Sequence, residues 1–101
     1  MIDLSSATEV CDGYQVRAWS GVATDEGVGM ICLVEVSSGR GRVSCRFEAM
    51  LAASVQRGNP DWSGPDAEVA VRLQDNALAR AREAILGNGL ADLHGRRLDI
   101  G

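Results

Sequence analysis

The side chains that most often take part in catalysis are few in this chain and far apart. His94 is the single histidine, the three cysteines are Cys11, Cys32 and Cys45, and no lysine occurs. Without lysine the chain cannot form a Schiff base with a carbonyl substrate or supply the lysine of a phosphate-binding loop. The spacing of the histidine and cysteines matches no metal-ligand motif. We therefore predict no metal, no cofactor and no catalytic residue, and we favour a protein that is not an enzyme.

The cysteines raise the question of a disulfide. Cys32 and Cys45 lie on two predicted strands joined at Ser38-Gly39. A two-residue turn there places the two cysteines opposite each other at a non-hydrogen-bonded position, where cross-strand side chains approach most closely. A redox-sensitive disulfide is one alternative. We favour reduced thiols that pack as small apolar side chains, because the chain has the features of a cytoplasmic protein.

One loop carries the residues that are most typical of a binding site. Both prolines of the chain fall between Gly58 and Pro65, and this loop also holds Asp61 and Trp62. Tryptophan on a loop is enriched at interfaces, so Trp62 and Asp61 are candidate contacts for a small-molecule ligand or a partner. Two alternatives stay open. Trp62 can pack on the first turn of the following helix, or a carboxylate near it can serve a small enzyme.

Arginine supplies all of the positive side-chain charge. Arg40, Arg42 and Arg46 cluster on the second predicted hairpin, and Arg42 and Arg46 are candidate binding residues. Binding of nucleic acid through these arginines is one hypothesis, but the net charge of −4 disfavours it. The two-residue turn instead predicts that Arg42 pairs with Glu35 and that the stem of Arg46 covers Ile31.

These residues need a scaffold, and the pattern predicts an α+β fold. Two hairpins over residues 7–48 form an antiparallel sheet of three to four strands, which packs on one long C-terminal helix over 65–86. Asp12-Gly13 marks the first turn and opposes Cys11 to Tyr14. In the second hairpin, Met30 is predicted to meet Phe47.

The helix is predicted from a stripe of apolar residues and from its end signals. The stripe repeats every seven residues at Val71, Leu78 and Ile85, and alanines lie beside it. Gly87-Asn88-Gly89 is typical of a helix C-terminus. Residues 49–57 are predicted as a helical turn or short helix. Residues 87–101 form a tail with an exposed His94, or a last edge strand.

The predicted central strand has apolar side chains on both faces. Ile31 and Leu33 point away from the helix and need a cover, so we predict that they form an interface between copies of the chain. A chain of 101 residues is a single domain. We expect no signal peptide and no membrane span. We expect a small, acidic, soluble cytoplasmic binding or accessory protein that acts as a homo-oligomer, a dimer or higher.

Overall fold

The computed structural model describes residues 2–22, 30–50 and 67–99. Within these ranges the order of elements is β1 (Ile2–Cys11), β2 (Tyr14–Val22), β3 (Met30–Ser37), β4 (Val43–Met50), α1 (Ala67–Leu86), α2 (Leu90–Leu93) and β5 (Arg97–Asp99). The predicted loop with Asp61 and Trp62 lies outside the described residues, as does most of the predicted helix over 49–57. The first two residues of that segment belong to β4 instead.

The strands form one sheet in the spatial order β1-β2-β3-β4-β5. The first four are antiparallel neighbours, whereas β5 is parallel to β4. The α+β fold, the mostly antiparallel sheet and the C-terminal helix are confirmed. The predicted three to four antiparallel strands are corrected to a mixed sheet of five. A parallel neighbour becomes possible because the chain passes through α1 and α2 before it returns along β4.

The first hairpin has the predicted turn and register. Asp12 and Gly13 both have positive φ, 48° and 84°, as a type I′ turn requires. Cys11 stands opposite Tyr14, and the pairing continues from there along β1 and β2 as predicted. A dipeptide that strongly prefers one turn type therefore determined the register.

The second hairpin has a different turn from the one predicted. The N–H of Gly41 donates to the carbonyl of Ser38 at 2.9 Å, and the N–H of Ser38 donates to the carbonyl of Arg42 at 2.8 Å. Gly41 has a φ of 78°, so the left-handed residue lies two positions after Gly39. A type I turn followed by a left-handed residue makes a three-residue hairpin loop with a bulge.

This loop, together with a β-bulge next to it, changes the partners across β3 and β4. Cys32 stands opposite Ala49, and Cys45 stands opposite Val36. The three-residue loop shifts the predicted register by three residues, and a bulge in β4 between the pairs Ser37–Val43 and Val36–Cys45 adds a fourth. Beyond this bulge the shift is even, so Cys45 and Phe47 stay inward, whereas Val43 on the turn side of the bulge is 37% exposed. The shift separates the two thiols by about 13 Å along the strands. A disulfide between them is excluded, and Cys11, Cys32 and Cys45 are all free.

The same shift corrects three other predicted pairs. Phe47 faces Val34 and not Met30, and Glu35 faces Arg46 and not Arg42. Ile31 is opposite Met50, so the stem of Arg46 is not its cross-strand cover.

Helix α1 covers one face of the sheet with the side chains that the alanine-rich stripe predicts, and it ends at Leu86 as predicted. The prediction for Val71 was wrong: this residue was placed on the apolar stripe, but its side chain is 43% exposed. Leu73 is the buried residue in that turn. The predicted polar side, including Arg72 and Asp75, is exposed. The core between helix and sheet is built from Val16, Ala18, Met30, Cys32, Val34, Val36, Cys45, Phe47, Ala49, Ala70, Leu73, Ala77, Leu78, Ala81, Ile85 and Leu93.

The predicted stop after α1 has the hydrogen bond of a Schellman motif. Asn88 has a φ of 57°, and the N–H of Gly89 donates to the carbonyl of Ala84 at 2.7 Å. The chain then forms α2, whose Leu93 is buried against the core. The alternative of a last edge strand is confirmed for β5.

Candidate functional site

The candidate site lies on the face of the sheet opposite α1, which we call the outer face. Strand alternation places Trp19, Leu33 and Glu48 side by side on this face, because Trp19 pairs with Leu33 and Leu33 pairs with Glu48. The next row toward the turns consists of Arg17, Glu35 and Arg46. An apolar row and a charged row therefore lie next to each other.

Trp19 and Leu33 form the apolar floor of the site. Both side chains are half-buried, although they lie on the face that carries no part of α1. The guanidinium carbon of Arg17 lies 5.1 Å from the centroid of the Trp19 ring. This cation–π contact places the guanidinium of Arg17 over the Trp19 ring.

Two ion pairs form the walls beside this floor. Arg46 Nε lies 3.1 Å from Glu35 Oε2, and Arg97 Nε lies 2.8 Å from Glu48 Oε2. Both pairs are exposed to solvent, so each contributes only about 0.2–1 kcal/mol to stability. Their role in the site is geometric, because each arginine holds a carboxylate in place across neighbouring strands.

The segment after α2 closes the site along β4. The N–H of Arg46 donates to His94 Nδ1 at 3.0 Å, and the N–H of Gly95 donates to the carbonyl of Arg46 at 2.7 Å. Farther on, the N–H of Glu48 donates to the carbonyl of Arg96 at 2.9 Å. His94 is exposed, as expected, but its ring accepts a backbone hydrogen bond that a free tail would not make. This hydrogen bond fixes the segment against β4.

These elements enclose an open cleft of about 510 Å³. Its lining includes Trp19, Leu33, the two ion pairs and the turn at Gly95 and Arg96. Arg96 is exposed, and no carboxylate among residues 2–22, 30–50 and 67–99 forms an ion pair with it. The cleft therefore combines an apolar floor, neutralised walls and one cation that is available to a ligand.

The residues predicted as a site are only partly brought together. Arg46 lies in the cleft wall, whereas Arg42 lies exposed in the β3–β4 loop. Leu33 lies in the floor, and Ile31 is only 8% exposed within a single chain. The chain itself covers Ile31, so this residue does not require a second copy. Asp61 and Trp62 lie outside the described residues.

Sequence reasoning missed Trp19 and Arg96. Gln15, Arg17 and Trp19 are spaced two residues apart, so they share one face of β2. A tryptophan on an otherwise polar strand face is the signal that could have identified it. Arg96 gave no such signal, because its position depends on the parallel pairing of β5 with β4.

The free thiols lie away from this cleft, on the side of the sheet that packs against α1. Burial raises the pKa of the Cys32 thiol, and burial also raises the pKa of the Cys45 thiol. Both thiols are therefore neutral at physiological pH and poor nucleophiles. Elsewhere in the described ranges, histidine, cysteine and acidic side chains form no group of three suited to a metal ion.

The chain matches no family model, no curated protein and no solved structure. Neither helix within the described residues has the length and apolar character needed to cross a membrane.

Proposed function

We propose that this protein is a small binding or accessory protein, not an enzyme, which acts as a homo-oligomer and holds a small ligand in the outer-face cleft. The observation that supports this most directly is the cleft of about 510 Å³ over Trp19 and Leu33. This volume lies within the range of about 300–1,000 Å³ that is usual for ligand sites. An apolar floor with a few polar groups at the rim is also typical of such sites.

The charges of the lining indicate the class of ligand. Both carboxylates of the walls, Glu35 and Glu48, are already paired with arginines. Arg96 has no such partner in the described part of the chain and lies at the rim. A ligand with a flat apolar body and one anionic group fits this arrangement, because the body covers Trp19 while the anion accepts hydrogen bonds from the guanidinium of Arg96.

The pairing of the wall residues also supports binding over catalysis. A general acid or base needs a carboxyl group that can exchange its proton with a substrate. Here each of the two carboxylates of the lining is already engaged by an arginine, Glu35 by Arg46 and Glu48 by Arg97. The cleft is suited to orienting a ligand rather than to moving a proton.

Two matched dyes test this function. Anilinonaphthalene sulfonate has a flat apolar body with one anionic group, and phenylnaphthylamine has the same body without the charge. We expect the wild-type protein to bind the sulfonate more tightly, as measured by fluorescence titration. Arg96→Gln should weaken binding of the sulfonate by about tenfold or more, the effect of one charge-assisted hydrogen bond, and leave the neutral dye unchanged.

Arg72→Gln is the matched control, because Arg72 is an exposed arginine on the polar side of α1. It removes the same charge from the protein and should change neither affinity. Trp19→Ala should weaken both dyes, with the unfolding temperature recorded to confirm that the variant is folded. Equal losses for Arg96→Gln and Arg72→Gln, or unchanged binding in Trp19→Ala, would rule out the cleft as the site.

A further inference from the structure

Strand β1 forms a free edge of the sheet. It spans Ile2–Cys11, and among residues 2–22, 30–50 and 67–99 it pairs only with β2. Its ladder with β2 is regular from Ser5 to Cys11, because the register shift in this strand falls between Asp3 and Ser5. The opposite edge, β5, has only three residues. The long edge therefore offers the larger row of unpaired backbone groups.

The register of the first hairpin shows which backbone groups face outward. In a two-residue hairpin the pair that flanks the turn, here Cys11 and Tyr14, exchanges hydrogen bonds, and every second pair after it does the same. The alternate residues Ser6, Thr8 and Val10 therefore direct their N–H and C=O groups away from β2. Their side chains are all exposed, and Val10 is 76% exposed.

This edge lacks the features that usually prevent strands from pairing with other strands. Natural sheets protect exposed edges with lysine, other charges or proline. Ser6, Thr8 and Val10 are neutral, and two of them are β-branched. The charge next to them, Glu9, is held on the α1 side by Arg82, whose Nη1 lies 2.9 Å from Glu9 Oε1. An approaching strand therefore meets no charged side chain among these three residues.

We propose that β1 pairs antiparallel with β1 of a second copy of this chain around a two-fold axis at Thr8. Thr8 is the midpoint of the regular segment from Ser5 to Cys11, so this register gives the longest overlap. It places Thr8 opposite Thr8 of the partner subunit and Val10 opposite the partner's Ser6. All three outward-facing residues then meet outward-facing residues, and about six backbone hydrogen bonds form.

The self-complementary pattern favours a second copy over an unrelated peptide. A two-fold axis requires the same surface on both subunits, and this edge meets that condition with no like charges directly opposite each other. Glu9 falls opposite the partner's Ala7, so the two glutamates do not oppose each other. The result is one continuous sheet across the dimer with both outer-face clefts left open. This inference rests on the homo-oligomer of the proposed function and not on the ligand.

Proline at position 8 tests the pairing. Thr8→Pro removes only an N–H that faces away from β2, which an edge strand tolerates. Analytical ultracentrifugation from micromolar to submillimolar concentration should show wild-type protein approaching twice the chain mass of 10.7 kDa. Thr8→Pro should stay at the chain mass, whereas Thr8→Val, which keeps the N–H, should dimerise like the wild type. Thr8→Lys is the second variant if the proline variant does not fold, and it should be monomeric.

Amide hydrogen exchange identifies the surface directly. As the concentration of wild-type protein rises, exchange at the amides of Ser6, Thr8 and Val10 should slow, while exchange at Ala7 and Glu9 should not depend on concentration. A wild-type monomer at all concentrations overturns the proposal. A dimer that persists in Thr8→Pro and Thr8→Lys also overturns it, and it leaves the homo-oligomer in place through another surface. Neither result affects dye binding in the cleft, which is measured separately.

Discussion

The two hairpins of this sheet have the same antiparallel pairing but reach their registers in different ways. In the first, Asp12 and Gly13 both adopt positive φ, and the turn has one natural length. In the second, two glycines lie within five residues, and Gly41 rather than Gly39 adopts the left-handed conformation. A turn sequence with two glycines permits several loop lengths. The hydrophobic pattern then predicts which face of each strand is buried, but it does not determine which residues pair across the two strands.

The hairpins also differ in how much of the core they supply. A substitution at Phe47, which is 3% exposed and opposite Val34, tests this difference and has the largest expected effect. Phe47→Ala should lower the free energy of unfolding by about 3–5 kcal/mol, since it leaves a cavity between the sheet and α1. Val10→Ala in the first hairpin should change it by no more than about 0.5 kcal/mol in the monomer. Urea denaturation of both variants measures the contrast, and equal losses would contradict it.

The buried thiol of β3 gives the second hairpin a dependence on alkaline pH. Because burial raises the pKa of Cys32, the folded protein keeps this proton to higher pH than the unfolded chain. Its contribution is complete below the ordinary thiol pKa of about 8.5 and is lost as the pH rises through the raised value. Stability measured by urea denaturation from neutral to alkaline pH should fall less steeply in Cys32→Ala than in Val34→Ala, which removes core volume but no thiol.

The loop of the second hairpin is tested by alanine at its two glycines. Gly41→Ala should lower the free energy of unfolding by about 1 kcal/mol, because a side chain disfavours the left-handed conformation. Gly39→Ala should have little effect, since its Cβ would meet the carbonyl oxygen of Gly13 at an ordinary 3.6 Å. Thermal unfolding of the two variants distinguishes the three-residue loop from a two-residue turn at Ser38-Gly39. The two-residue turn would make Gly39→Ala the more destabilising substitution.

The smallest effect tests the register itself. Glu35 pairs with Arg46 in the observed register and with Arg42 in the register predicted from the sequence. A double-mutant cycle with Glu35→Gln and Arg46→Gln should give a coupling energy of about 0.2–1 kcal/mol, as expected for an exposed pair. The same cycle with Arg42→Gln should give no coupling, and the opposite result would support the shorter turn.

The sequence contains enough information for the faces of the elements but not for all of their partners. The alternation in β3 and β4 and the alanine stripe of α1 identify the core, because burial is a property of each residue. The partner of Cys32 depends on the length of one loop and on the bulge beside it. The partner of β5 depends on a crossover through α1, which no local pattern of residues encodes.

The candidate site shows the same division. Leu33 was predicted as a contact residue because its strand has apolar side chains on both faces, and Arg46 because it belongs to a cluster of arginines on one hairpin. Trp19 and Arg96 enter the cleft only when β2, β4 and β5 are assembled, so their roles depend on contacts between distant parts of the chain. Trp62 looked more like a binding residue in the sequence because it lies beside prolines.

The parallel pairing of β5 has a consequence for the order in which the protein folds. β4 and β5 are separated in the chain by α1 and α2, so the ribosome completes both helices before β5 is available. Until then β4 has an open edge of its own. We expect the hairpins and α1 to collapse first and β5 to pair with β4 last. This pairing is then the slow step, and it covers the edge of β4 that is exposed until that point.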